Sequence, residues 1–246
     1  MRKIGAESII WFIALFTLTV LLSVVADQLS FGFADRQGFG VLNALAAVVF
    51  LYGAAIVVYR SFLAFWPLSE GNLAPGSRQE TIANINILFY LIFFNTLIRT
   101  NFLPVPFTRP LYRSLGAKLG KNTYSAGAIL DPPLTSIGAD CVIGHNAVIF
   151  AHAIERSSLS LARVSIGDRV TIGASAIVMS GVRIGDDALV AAGAVVMKGT
   201  VIGAGEEWGG IPAKRLRRPP VESEPASSMA FTGTEPLTSA ARVEDS

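Results

Sequence analysis

The chain has 246 residues, of which 52% are apolar and only 15% charged, with a formal net charge of +2, a mean hydropathy of +0.53 and one cysteine. A soluble domain carries about a quarter charged residues, so the deficit asks for lipid. The small net charge gives no field for nucleic acid, and a lone thiol, Cys141, excludes an internal disulfide framework.

Residues 9–26 form the first continuous apolar run, between Glu7 and Asp27. At ~1.5 Å per residue, about 20 residues cross the hydrocarbon, so this run just spans. Arg2 and Lys3 ahead of it also suit a signal peptide, but the run is long for one and lacks a clean cleavage site. Residues 41–59, ending at Arg60, give a second span. The stretch between them holds Asp27, Asp35 and only Arg36, so the positive-inside rule puts both ends of the pair in the cytoplasm. Residues 82–98 are apolar but interrupted by Asn84, Asn86, Asn95 and Thr96, which are costly in hydrocarbon without partners. This pattern predicts an interfacial or re-entrant helix, with a third span as the alternative. Trp66, Pro67, Phe102, Pro104, Pro106 and Phe107 suit a chain lying at headgroup level. Residues 1–110 are thus expected to be a multi-pass membrane domain in the inner (cytoplasmic) membrane, with the rest of the chain facing the cytoplasm.

From Leu119 the period changes. Ile166, Ile172, Val178, Ile184, Val190, Val196 and Ile202 fall six residues apart without a slip, and Ile137, Ile143 and Ile149 form an earlier set. A glycine or other small residue often follows, and the fifth position of each hexad is small or β-branched, as at Cys141, Val170, Ala176 and Val182. A period of six fits neither helix nor ordinary strand. It fits a solenoid with three short strands per coil, with glycine supplying the positive φ of tight corners. Ile149 and Ile166 are 17 residues apart, so the stretch 155–163 is expected to leave the coil as a loop on the binding face. The repeat closes at Trp208-Gly209-Gly210-Ile211-Pro212-Ala213-Lys214, and 219–246, rich in Pro, Ser, Thr and Glu, reads as a disordered tail.

These hexads and the Gly209–Lys214 closure resemble the hexapeptide-repeat acyltransferases. A narrower likeness, in Leu115-Gly116-Ala117-Lys118-Leu119-Gly120, Val164-Ser165-Ile166-Gly167 and Val196-Met197-Lys198-Gly199, is to the membrane-associated β-helical C-terminal parts of ε-poly-lysine-type poly-amino-acid synthetases. The resemblance implies a left-handed parallel β-helix over 111–218, preceded by the N-terminal α-helical membrane domain. It also implies a homotrimer and transfer of an acyl group from acetyl-CoA or another acyl-CoA to a hydroxyl or amine.

Such a transfer needs a base near neutral pKa, and the chain has two histidines, His145 and His152. By resemblance, the base of the family sits just before a loop insertion, where His152 stands. Glu155 is the candidate to fix its tautomer, with Asp131 as a weaker alternative; His145 follows Ile143-Gly144 at a corner, where any polar residue is acceptable. The resemblance places the pantetheine arm along the coils near Ala192 and Gly193, and the phosphates near Lys214 and Arg215 in the Gly210-containing closure. Trp208 either stacks on adenine or caps the core. Arg217 and Arg218 fit anionic lipid equally well. A zinc enzyme of the γ-carbonic anhydrase kind needs three histidines, so no metal is expected. The membrane domain points to an acceptor at the membrane, such as a lipid-linked saccharide or a peptide. A non-catalytic, membrane-tethered trimeric scaffold is the alternative.

Overall fold

The computed structural model describes residues 4–31, 40–100, 103–156 and 158–216. Arg2, Lys3, Asp35, Arg36, Phe102, Arg217, Arg218 and the 219–246 segment lie outside them. Helices α1 (Ala6–Phe31) and α2 (Gly40–Phe65) are apolar on every side and pack against each other. A third helical stretch, Arg78–Arg99, consists of α3 (Arg78–Phe89), one π-helical turn at Tyr90–Phe94, and α4 (Asn95–Arg99). Ser77 starts it by accepting the Glu80 backbone N–H at 3.2 Å, which satisfies one of the free donors of the first turn. All three are long and apolar enough to cross a membrane by length and composition.

The first two leave most of their surface uncovered, whereas half of the third is buried. It lies in the groove made by the first half of α1 and the second half of α2. Phe89 meets Phe12 there edge to face at 5.5 Å and Tyr59 at a tilt at 5.7 Å. Its asparagines find partners instead of lipid: Asn84 Nδ2 donates to Ser8 Oγ of α1 at 3.3 Å, and Asn86 bonds Tyr59 of α2.

Helix α5 (Val105–Ser114) is not an interfacial strip but the lid of the solenoid. Thr108 and Arg109 donate to the carbonyls of Ser125 and Gly120, each at 2.9 Å, and the buried Tyr112 hydroxyl donates to Gly127 O and accepts Ile129 N–H, each at 3.0 Å. These bonds satisfy the first coil's open edge, which would otherwise bury unpaired backbone groups. Burial pushes the Tyr112 hydroxyl up to about 12.

Residues 118–209 wind into a three-faced parallel β-helix. One face stacks Lys118–Leu119, Thr135–Ile137, Val164–Ile166, Arg183–Ile184 and Val201–Ile202 in parallel. The other two pair Ile143 with Ile172 and Ile172 with Val190, and Ile149 with Val178 and Val178 with Val196. The aliphatic ladder is buried as the hexads require. Each such side chain removed from water is worth about 1.5–3 kcal/mol.

Glycine supplies the positive φ of some corners as expected, at Gly181, Gly193, Gly199 and Gly205, the third residue after the aliphatic one. Asn146, Arg169, Ser175 and Asp187 hold the same place in other corners, and the glycine directly after the aliphatic residue serves close stacking instead. A Cβ at Gly144 would stand 2.5 Å from Ala174 N of the next coil.

Two insertions break the count. Ile129 pairs with Ile149, an offset of 20 residues where Leu119 and Ile137 are 18 apart. The extra length is taken up by the 3₁₀ turn Pro132–Leu134, which moves Asp131 off the strand to a corner. The second insertion is not an open loop. It is an antiparallel hairpin, His152–Glu155 with Ser158–Leu161, whose outer strand pairs with Gly71–Leu73. Alternation explains it: Leu159 and Leu161 are buried beside the polar Ser158 and Ser160, the period of a half-covered strand. Ser157, at its tip, lies outside the described residues.

Candidate active site

Three parts of the chain converge on one side chain, His152. The hairpin begins with it, and the corner formed by the Pro132 turn sets Asp131 behind it. Asp131 Oδ2 is 2.7 Å from His152 Nδ1 and also accepts the backbone N–H groups of Ala151 at 2.8 Å and His152 at 3.1 Å. Its other oxygen accepts from Asn86 Nδ2 at 3.4 Å, and Asn86 Oδ1 in turn accepts the Tyr59 hydroxyl at 2.6 Å. Asp131, Asn86 and Tyr59 are all buried. A carboxylate taken out of water is expensive unless donors replace the water, and here four do. A chain of hydrogen bonds thus runs from α2 through α3 into the β-helix.

Asp131 bonded at Nδ1 holds the proton there and leaves Nε2 with a free lone pair. Burial works against the charged ring, but the Asp131 bond and charge outweigh it, so the His152 pKa is raised above its ordinary value. The ring is partly exposed and lies 5.8 Å from Phe150. It opens onto a cavity of about 310 Å³ lined by Ile87, Tyr90, Leu91, Asn95, Arg99 and Leu130. Most of that wall comes from the third helical stretch, including its π turn, a distortion frequent at functional sites. The arrangement can accept a proton from a hydroxyl or amine brought into the cavity.

Glu155, expected to orient His152, does not touch it. Its carboxylate bonds Lys198 Nζ at 2.6 and 2.7 Å on the exposed surface. It follows His152 by three residues in an extended strand, which turns the two side chains to opposite faces. His145 is exposed at a corner, where its carbonyl accepts Ser175 N–H at 2.8 Å.

Residues expected to meet the acyl donor sit on the coil exterior and at its closure. Ala192 and Gly193 are exposed, but the Gly193 N–H is already given to Ala174 O at 2.8 Å. Trp208 packs against the core, with its indole N–H on Glu206 Oε2 at 2.9 Å, which fits the capping alternative. Gly210 is exposed with φ +91°, and its carbonyl accepts Val195 N–H at 3.0 Å. Arg215 is 3.1 Å from Glu206, while Lys214 is exposed on the final antiparallel strand. The Trp208 bond, then Gly203 N–H and Arg215, hold the Glu206 carboxyl below its usual range. No group of three or more His, Cys, Asp or Glu able to hold a metal occurs among the described residues.

Sequence reasoning missed Tyr59, Asn86, Tyr90 and Arg99. For Asn86 the signal was present: an amide in an apolar run needs a partner. For Asp131 it was a carboxylate where a count in sixes from Ile137 demands an aliphatic residue.

The sequence model of a family described as the hexapeptide repeat of succinyl-transferase matches residues 134–154 and 163–198. The matched residues fall within the observed coils, so this part of the chain carries hexapeptide repeats. No curated protein matches it. Among solved structures, it is similar to the hexapeptide-repeat-containing acetyltransferase VCA0836 of Vibrio cholerae, with 25% identity and a TM-score of 0.39, over 42% of this chain and 63% of that one. A galactoside acetyltransferase in complex with coenzyme A matches at 18% identity and TM-score 0.44, over 60% of this chain and 86% of its own. A maltose O-acetyltransferase from Clostridium difficile 630 matches at 18% and 0.37, over 65% and 96%. The chain thus spans less than two thirds of the VCA0836 protein.

Proposed function

We propose that this protein is a membrane-anchored acyltransferase that moves an acyl group from acyl-CoA, with acetyl-CoA as the first candidate, to a hydroxyl or amine of a membrane-proximal saccharide or peptide. The observation that carries this reading is the Asp131–His152 pair, buried behind and open in front, facing a cavity walled by an apolar helix. His152 Nε2 takes the acceptor proton as the acceptor oxygen or nitrogen bonds to the acyl carbon. The C–S bond then breaks, and the same proton passes from Nε2 to the departing CoA sulfur. The repeat family's own description, a succinyl-transferase, supports acyl transfer. Lys214 is the proposed cation for the CoA phosphates. Cys141 has no part in this: it is buried, with Sγ 3.1 Å from Gly167 O, and burial pushes its thiol up, away from the thiolate form.

Packing supports α1 and α2 as a spanning hairpin with the third helical stretch at the interface. That stretch and the segment leading into it touch the β-helix at three places. Before it, Glu70 bonds Arg163 at 3.0 and 3.3 Å; within it, Asn86 reaches Asp131; at its end, α4 packs on the strand Ala128–Ile129. A helix crossing the bilayer could not keep all three contacts with a domain outside it. A homotrimer is the proposed assembly. Tyr124, Val142, Thr171 and Leu189 stand in register on one face; the three apolar ones are 44%, 52% and 37% exposed, and with Thr171 between them they make a weakly polar stripe suited to burial between subunits.

Release of CoA thiol from acetyl-CoA by the full chain in maltoside detergent, with membrane extract as acceptor, tests the reading. His152→Ala is expected to lower the rate by about 10²–10⁴-fold. Equal rates remove the assigned base. Failure of the wild-type chain to bind CoA at all would leave the scaffold reading.

A further inference from the structure

The cavity in front of His152 has two chemically different halves, and neither half is explained by the acyl donor. Ile87, Leu91 and Leu130 make one wall apolar, and Leu91, 52% exposed, continues it to the surface with Ile92 at 48%. Asn95, Tyr90 and Arg99 make the other wall polar. Arg99 ends the third helical stretch, is exposed, and has no acidic partner among the described residues. It also lines an adjoining cavity of about 300 Å³ between that helix end and the coil residues Gly127, Asn146 and Val148.

Tyr90 is 3% exposed, and its hydroxyl is buried without a hydrogen-bond partner of good geometry. The neighbouring Tyr112 hydroxyl donates to Gly127 O and accepts Ile129 N–H, so it offers Tyr90 a single remaining lone pair. A buried, unsatisfied hydroxyl costs about 1–3 kcal/mol, so it is a group waiting for a ligand atom. Arg99 and Tyr90 line the same cavity. An unpaired guanidinium beside a free O–H and an amide makes a donor set for a phosphate, which the planar fork of arginine binds in bidentate fashion. A carboxylate would need only one such fork. A tetrahedral oxyanion with three free oxygens uses the hydroxyl and amide as well.

We infer that this cavity binds a phosphate-bearing amphiphile, with its phosphate on Arg99 and Tyr90, its apolar chain along Leu91 and Ile92, and its acyl-accepting group at His152 Nε2. This deepens the acyltransferase reading and rests on it for the role of His152. It narrows the acceptor to one that carries a phosphate between its lipid and the group to be acylated. Arg99 is then a specificity residue for the acceptor, separate from Lys214 at the donor end.

The chain's two histidines allow a test that needs no turnover. In the full-length protein held in uncharged maltoside micelles and labelled with ¹⁵N-histidine, the ring signals of His152 and His145 are followed during addition of dodecyl phosphate. The expected result is that His152 moves and His145 does not, and that Arg99→Ala weakens the apparent affinity about tenfold or more while Arg99→Lys keeps part of it. An equal response in wild type and Arg99→Ala overturns the inference. If inorganic phosphate acts at the same concentration as dodecyl phosphate, the apolar half is idle and the amphiphile is wrong. Displacement of dodecyl phosphate by CoA would assign Arg99 to the donor and overturn it too. Acetyl-CoA binding to the same sample separates the two readings. Binding of acetyl-CoA without a phosphate response sinks only this inference, whereas a phosphate response without CoA binding sinks the acyltransferase and leaves the lipid site standing.

Discussion

Nothing about a histidine in a partly exposed hairpin suggests a base; the carboxylate behind it is what supports the proposed role. Asp131 is buried, held by three donors besides the ring, and aimed at Nδ1. That geometry fixes two properties at once, the tautomer and the raised pKa. The pH dependence follows from the sign of the shift. A proposed base must be neutral to act, so the rate is expected to fall as pH drops through the raised value. Asp131→Asn removes the charge and weakens the bond that raise it, so burial, which lowers it, weighs more. Its acid limb is therefore expected to move to lower pH, with a plateau about 10²-fold down because the ring is no longer oriented. Stability moves the other way. A group whose folded pKa is raised lends stability in full below its unfolded value, about 6.5, and loses it as pH rises through the folded value. The melting-temperature gap between wild type and Asp131→Asn should thus widen on acidification. A gap independent of pH, together with an unmoved acid limb, would mean that Asp131 is merely a buried structural carboxylate.

The elements differ in how much of them could be read in advance. The coils were legible because the same constraint, an aliphatic side chain pointing into a narrow prism, recurs every six residues from Ile166 to Ile202. The two apolar helices were legible by length alone. The third stretch was only half legible. Its asparagines announced that partners exist but not that Asn84 would find Ser8 and Asn86 would find Asp131, since no local pattern encodes pairs 76 and 45 residues apart. For the same reason the hairpin's pairing with Gly71–Leu73 and the choice of Asp131 over Glu155 were hidden. Asp131 depends on a two-residue insertion that only the register exposes. Asn86 is where this hidden layer is open to test. Asn86→Leu keeps the branched shape but strips a donor from Asp131 and an acceptor from Tyr59, and each buried group left unpaired costs about 1–3 kcal/mol. The variant should melt several degrees lower and lose more in kcat than in KM, with the His152 ring signal displaced from its wild-type position. A melting change alone, with kcat and the ring signal unchanged, would make the helix a support for the fold and not for the site.

At the scale of the whole molecule, a rigid prism, 118–209, is clamped to a helical hairpin by a third helix that serves both. Arg60, near the end of α2, packs so closely on Gly116 at the start of the prism that a Cβ there would meet its guanidinium. Ser8, near the start of α1, touches the same third helix through Asn84. Ser8 of α1 and Arg60 of α2 are therefore both on the prism side, the arrangement that the proposed hairpin with cytoplasmic ends calls for. If α1 and α2 cross the bilayer, the cavity before His152 lies at the cytoplasmic headgroup layer, where an acyl donor from water and an acceptor from lipid can meet. Site-specific labelling decides this. Cys141 is buried, so the native chain gives little background with a membrane-impermeant maleimide. Gln37→Cys, in the 32–39 connection, is expected to react in intact cells, and Lys121→Cys, at an exposed corner of the first coil, only after permeabilisation. The reverse pattern would put the prism outside and deny it cytoplasmic acyl-CoA. Labelling of both in intact cells would mean that the hairpin does not cross at all, and the acceptor would then lose its reason to be a lipid.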